Sequence, residues 1–238
     1  MLVRRVIVAA ILVVLSLLLA TTLAELPSPD ERTSTAHLSR HIISDGAKET
    51  GALNLVSAVL FDYRAFDTLG EATVIFAAVA GVVMLFYRAP LHPSSIGLSM
   101  LAKRSLDSIG PFVFVAGMYV VLYGHISPGG GFQGGVILAT LTILLSIVYG
   151  LETERRLLDP IFKTILESTA ALGFMVIAFA GIVAGEYFLS NLAAGFPGGI
   201  PGDLVSAGSL PALNLAIGLK VGAGLALVFY SMIKREYM

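Results

Sequence analysis

A lysine stands where a membrane-crossing segment would be purely apolar. Lys220 is flanked by Ala216, Ile217, Gly218, Leu219, Val221 and Gly222, roughly two turns into an apolar run that starts near Ala212. An ammonium ion in hydrocarbon is costly and marks an ion route or a paired charge. Gly218 and Gly222 are four residues apart, a spacing that lets a second helix approach closely. Lys220 therefore points into protein or water, on an ion path or toward a carboxylate of another chain. The alternative is a side chain that snorkels to the interface. Glu186 stands near the outer end of the preceding apolar run, where it either pairs with Lys220 or sits at the interface. Glu167, near the inner end of that run, is expected in solvent.

His125 lies at the outer mouth of another span, and histidine titrates in the range that suits proton exchange near neutrality. A histidine beside a turn also serves simply to cap backbone. It belongs to the stretch Gly124-His125-Ile126-Ser127-Pro128-Gly129-Gly130-Gly131-Phe132-Gln133-Gly134-Gly135, which holds six of the 25 glycines in twelve residues. Glycine permits positive φ and close backbone approach, and proline fixes φ. The expectation is a tight, irregular reversal at a membrane face rather than a helix. It is either a plain turn or a shaped contact with another chain or an ion path. Only Ile126 and Phe132 in it look able to pack a core.

A second polar-apolar mixture occupies residues 54–71, where Asp62, Arg64, Asp67 and Glu71 are set among strong apolar side chains. On a helix Arg64 meets Asp67 and Thr68, and Asp67 meets Glu71. An amphipathic segment at the membrane interface fits this pattern, as does a solvated surface helix with internal ion pairs.

Composition sets the frame for these groups. Of 238 residues, 56% are hydrophobic and 13% charged, with mean hydropathy +0.88. That exceeds what a soluble domain buries, so the chain is expected to be an all-α integral membrane protein. Net charge is −1, which gives no reason to expect nucleic acid as a partner. There is no cysteine, which excludes disulfides, thiolate metal sites and cysteine-held clusters. His37 and His41 are i, i+4, but the histidines are otherwise scattered, and no metal site or cofactor is expected. The glycine stretch lacks the Lys-Ser/Thr ending of a phosphate-binding loop. No nucleophile–base pair or carboxylate dyad points to an enzyme.

About six spans are expected, at residues 6–23, 72–87, 108–123, 133–149, 165–188 and 212–233, with the amphipathic segment before the second. The first, about 27 Å long at 1.5 Å per residue, is close to the bilayer core. It is long for a secretory signal, the alternative reading of its basic start. A short surface helix is expected around residues 34–45. In this layout Arg4/Arg5, Arg88/Lys103/Arg104, Arg155/Arg156/Lys163 and Lys234/Arg235 fall on one side. Basic residues in short loops stay in the cytoplasm, so both termini are expected there, with the glycine loop outside.

Two motifs carry a resemblance. The run from Gly124 to Gly135 resembles the signature of the MnhB/MrpB family, the B-type component of Mrp-type multisubunit Na+/H+ antiporters. Residues 54–71, with Asp62-Tyr63-Arg64-Ala65-Phe66-Asp67-Thr68-Leu69-Gly70-Glu71, resemble the C-terminal end of the large A-type component. In similar membrane-bound hydrogenases and sulfur-reducing complexes that segment is a small separate subunit. Here the two look fused: residues 1–98 are A-like with two spans, and 99–238 are B-like with four.

The resemblance implies a prokaryotic cell-membrane subunit that takes part in Na+ or H+ translocation beside other membrane subunits. The assembly would be an antiporter or a respiratory complex. It further implies that Asp67 and Glu71 line or gate a cation route, since hard cations favour oxygen ligands. Asp62, Arg64 and the loop residues Gly129, Gly130, Gly131, Phe132, Gly134 and Gly135 would shape the outer exit and the contact with neighbours. The competing expectation is a structural subunit that conducts nothing and seals the gap between pumping subunits.

Overall fold

The computed structural model describes residues 11–14, 16–18, 20–21, 33–86 and 97–233. The chain divides into two compact units, Met1–Ser44 and Asp45–Met238. Every described residue in a regular element is helical, with no strand among them. In order they are α1 (Thr33–Thr50), α2 (Leu55–Ala58), a π-helical turn (Val59–Tyr63), α3 (Ala65–Phe86), α4 (Met100–Leu122), α5 (Gly131–Tyr149), α6 (Leu151–Leu157), α7 (Pro160–Val183) and α8 (Leu210–Ile233), with a 3-10 turn at Leu192–Ala194.

Five of these, α3, α4, α5, α7 and α8, are long and apolar enough to cross a membrane. They answer to five of the six expected spans. The first, 6–23, lies largely outside the described residues; those described within it are helical. Outward faces are lined with side chains that water would reject, including Leu85 at 80% exposure and Val183 at 87%. A hydrocarbon environment accounts for them. The protein is multi-pass.

Helix α8 is the hub. Of its apolar window 61% is buried inside the protein, against 33% or less for the other spans. It packs against α5, α7 and α3. Ala216, Gly218, Gly222, Ala223, Gly224 and Ala226 make this possible, because small residues let helix backbones come together on several sides. The core gathers around Leu210, Leu213, Ile217 and Val221 of α8, with Phe174 of α7 and Phe61 of the π-turn.

Several boundaries differ from expectation. Asp159 caps α7 by accepting the Ile161 N–H at 2.7 Å, and Pro160 fills the first helical position, so that span starts earlier than residue 165. It ends at Val183, and Gly185 and Glu186 lie beyond it. Ser99 caps α4, which takes in Lys103 and Arg104. The interfacial segment resolves into α2 and the π-turn, and α3 already begins at Ala65. Asp67 and Glu71 thus sit in its first turns. The glycine stretch is only half irregular, since Gly131 to Gly135 form the first turn of α5. The surface helix expected at 34–45 runs on to Thr50.

Candidate functional site

Helices α7 and α8 run opposite ways through the bilayer, each 24 residues and so about 36 Å long. In opposed helices Glu167, eight residues from the start of α7, is level with Gly224 of α8, and Lys220, one turn further in, reaches it along its side chain. Lys220 Nζ lies 4.0 Å from Glu167 Oε1, and both side chains are about 5% exposed or less. The ring of Phe76, from α3, takes the ammonium on its face with 5.5 Å to its centroid. Gly224 leaves the space that Glu167 occupies: a Cβ there would sit 3.4 Å from Oε1. Lys220 also lines a lateral crevice of about 130 Å³ between α3 and α7, walled by Leu69, Thr73, Phe76, Phe174 and Met175. Among the described residues, neither Lys220 Nζ nor Glu167 Oε1 has a hydrogen-bond partner. Two opposite charges, dry on most sides and not locked together, can exchange a proton or admit an ion or water between them.

The expectation that Glu167 is solvated is therefore wrong. Its place near the helix end suggested water, but α8 covers that face. Glu186, the other expected partner of Lys220, is exposed beyond the end of α7. Lys220 finds its carboxylate within its own chain.

A second buried pair lies one turn away. Glu154 of α6 accepts a hydrogen bond from Lys163 of α7, with 0% and 4% of the side chains exposed. Tyr230 of α8 places its ring 5.1 Å from Lys163 Nζ. Burial pushes the Glu154 carboxyl above the usual range, and the bond and charge of Lys163 pull it back. In the sequence these residues belong to the charged connector between two spans; the buried pair needs the α6–α7 corner to form.

The end of the helix bundle that carries the glycine loop is held by three asparagines. Asn54 caps α2 with its Oδ1. Its Nδ2 donates to the carbonyls of Gly124 at 2.7 Å and Ser127 at 2.9 Å. Asn214 of α8 accepts the Gly131 N–H at 2.7 Å and donates to Ser57 Oγ at 3.2 Å. Asn191 donates to Asp62 at 3.0 Å and accepts from Ser209 N–H at 2.8 Å. Burial raises the Asp62 carboxyl; the Asn191 bond lowers it and Glu49 adds to the rise. An amide in an apolar run, as at Asn214, was the signal available for this set.

The glycine loop shows why its glycines are needed. Gly129 and Gly130 have φ of 138° and 147°. Gly135 meets α8 backbone to backbone: a Cβ there would lie 2.7 Å from the Gly218 carbonyl oxygen. Gly134 is pressed likewise on α4, with the Gly117 carbonyl 2.8 Å from such a Cβ. Phe132 is half-buried against the core. His125, not expected to pack, is fully buried. Burial lowers its pKa from the ordinary 6.5, countered by the nearby carbonyls of Asp203 and Leu204. These approach without reaching hydrogen-bond geometry at either ring nitrogen.

Asp67 and Glu71 are exposed. Asp67 pairs with Arg64, whose side chain is 70% exposed. The structure thus separates the expected set: Lys220 lies in the core, His125 beneath the loops at the glycine-loop end, and Asp67 and Glu71 on a surface of α3. No group of acidic and histidine side chains among the described residues is arranged to hold a metal ion.

Residues 101–227 match the family described as a domain related to the MnhB subunit of Na+/H+ antiporter. Residues 4–119 match the family described as the MbhE component of MBH. An uncharacterized protein of Methanocaldococcus jannaschii is 36% identical over 197 residues, covering 73% of this chain and 74% of that one. The B-type component of the Na+/H+ antiporter of Bacillus subtilis is 34% identical over 95 residues, 39% of this chain and 64% of that one. The solved membrane-bound sulfane sulfur reductase, an archaeal respiratory membrane complex, contains a chain with TM-score 0.68 and 31% identity, covering 97% of this chain and 98% of that chain. With the glycine loop, the hub helix and these matches together, the chain belongs to the family of domains related to the MnhB subunit of Na+/H+ antiporters.

Proposed function

We propose that this chain takes part in Na+ or H+ translocation as one membrane subunit of a multisubunit antiporter-type module, with Lys220 and Glu167 on the ion route. The observation that carries this is the loose Lys220–Glu167 pair, deep between α7 and α8 and lining a lateral crevice. Burying two charges costs several kcal/mol each, and a pair kept only for packing would close into a hydrogen bond. Other membrane subunits are the partners, and the chain has no active site of its own. Residues 1–98 form an A-like segment and 99–238 a B-like one. Both termini face the cytoplasm, on the strength of the basic segments.

The test is ion exchange in everted vesicles holding the assembled complex, wild type against Lys220→Ala, with assembly followed on native gels. Lost exchange in an intact complex supports the ion route. Unchanged exchange in an intact complex refutes it.

A second function, a non-conducting structural subunit, is favoured by the clamps at Asn54, Asn191 and Asn214, which tie distant segments together. Loss of assembly with Lys220→Ala would support it.

A further inference from the structure

Lys163 and Glu167 are i, i+4 on α7, so they share one face about 6 Å apart along the axis. That face is covered by α8: Lys163 is 3% exposed and Glu167 4%. Each has a partner of opposite sign on another helix, Glu154 of α6 for Lys163 and Lys220 of α8 for Glu167. The order Glu154, Lys163, Glu167, Lys220 therefore alternates in sign through the interior. One end adjoins α6, whose Glu152 and Arg156 are exposed and paired with each other. The other end is the lateral crevice beside Phe76.

We propose that Glu154 and Lys163 extend the Lys220–Glu167 pair into a proton-conducting row, with Glu154 as its member nearest the aqueous face. The row rests on the ion-route role of Lys220 proposed above. A staple between α6 and α7 needs no charge, because apolar pairs of similar volume hold such corners as well or better. Three atoms of the row, Glu154 Oε2, Glu167 Oε1 and Lys220 Nζ, are buried without a hydrogen-bond partner among the described residues. Those are the positions that a proton in transit, or a water carrying it, would use.

The transfers balance. Lys220 gives a proton to a water molecule in the crevice and becomes a neutral amine. Lys163 and Glu167 form no ion pair with each other, so Lys163 gives its proton to Glu167 through a bridging water, and Glu167 passes it to Lys220. Glu154 takes one proton from water and passes it to Lys163. One proton has entered at Glu154 and one has left at Lys220, and all four groups are restored. Tyr230 lies beside Lys163, and Arg155, Asp159 and Glu152 bear on Tyr230 electrostatically, so these groups share the field at the aqueous end.

The experiment follows proton movement with a pH-gradient dye in everted vesicles holding the complete complex, with assembly checked on native gels. Glu154→Gln keeps an oxygen for Lys163 but cannot carry the proton. The expected result is at least a tenfold loss in an intact complex, matching Lys220→Ala. If Glu154→Gln retains wild-type movement while Lys220→Ala loses it, the row is refuted and the Lys220 pair survives. If both variants retain it, row and pair fall together. If Glu154→Gln does not assemble, Glu154→Leu combined with Lys163→Met replaces the pair by apolar packing. Lost movement in that assembled variant supports the row. Normal movement, or renewed failure to assemble, assigns the pair to folding and overturns it.

Discussion

Asn214 accepts the Gly131 N–H, so a side chain of α8 caps the start of α5. The first N–H groups of a helix have no partner within it. Here the missing acceptor comes from 83 residues away, in the hub. Asn214 is fully buried and also donates to Ser57 and to the Leu210 carbonyl. Asn214→Ala leaves the buried Gly131 N–H and Ser57 hydroxyl short of a partner, at about 1–3 kcal/mol for each unsatisfied group. Thermal denaturation in detergent is expected to show a clear drop. Asn214→Asp, which keeps the acceptor and loses the donor, is expected to fall between. An unchanged midpoint for Asn214→Ala would remove the capping role.

Lys220→Ala alone strands Glu167 in the core and is expected to destabilise by about 3–5 kcal/mol. The double variant Lys220→Met with Glu167→Leu removes both charges and is expected to recover most of that loss. Exchange should stay absent in the double variant. Recovered stability together with recovered exchange would leave the pair a packing device.

Gly135→Ala places a methyl group against the Gly218 carbonyl and the Val221 side chain, the latter 2.9 Å from the new atom. Neither helix can retreat without opening the core, so about 1–3 kcal/mol of destabilisation is expected. Gly173→Ala is the control, because nothing lies within 4 Å of its Cβ position. It is expected to be neutral or slightly stabilising by helix propensity. Equal effects in denaturation assays would contradict the close approach.

His125 supplies a pH dependence. Its folded-state pKa lies below the ordinary 6.5 because burial disfavours the imidazolium. Between those two values the unfolded chain binds more protons than the folded one, so stability rises with pH. The contribution is fully present above about 6.5 and is lost as pH falls through the folded value. Wild type is expected to denature at lower temperature at pH 5.5 than at pH 7.5, and His125→Gln to lose much of that difference. The same pH slope in both would place the acid sensitivity elsewhere.

Asp67→Asn is expected to change stability by less than about 1 kcal/mol, since exposed ion pairs such as Arg64–Asp67 contribute little. Any role of Asp67 and Glu71 in a cation route would then appear as altered Na+ dependence of exchange, measured with Asp67→Asn and Glu71→Gln in an intact complex. Unaltered Na+ dependence would remove them from the route.

What is legible in the sequence follows from local chemistry. Apolar runs announce the helices, Lys220 announces itself by its surroundings, and the glycines mark a place of close approach. Glu167 and the Glu154–Lys163 pair escape such a reading for one reason: hydropathy along a single helix cannot say which face a distant helix will cover. Lys163 and Glu167 stand one turn apart, a spacing that signals a shared face but leaves open whether water or α8 lies upon it. His125 escapes similarly, because its burial comes from separate loops closing over it. Asn54, Asn191 and Asn214 act across 16 to 157 residues, a range over which no short motif reports.

Backbone-to-backbone contact between α5 and α8 has a mechanical corollary. Where Gly131 and Gly135 meet Gly218, there are no rotamers to reshuffle and no ridge to ride over. The two helices make a stiff beam. Any movement that accompanies a working cycle is thereby diverted to helices joined to that beam through deformable side chains, among them α7, whose contact with it carries the charges.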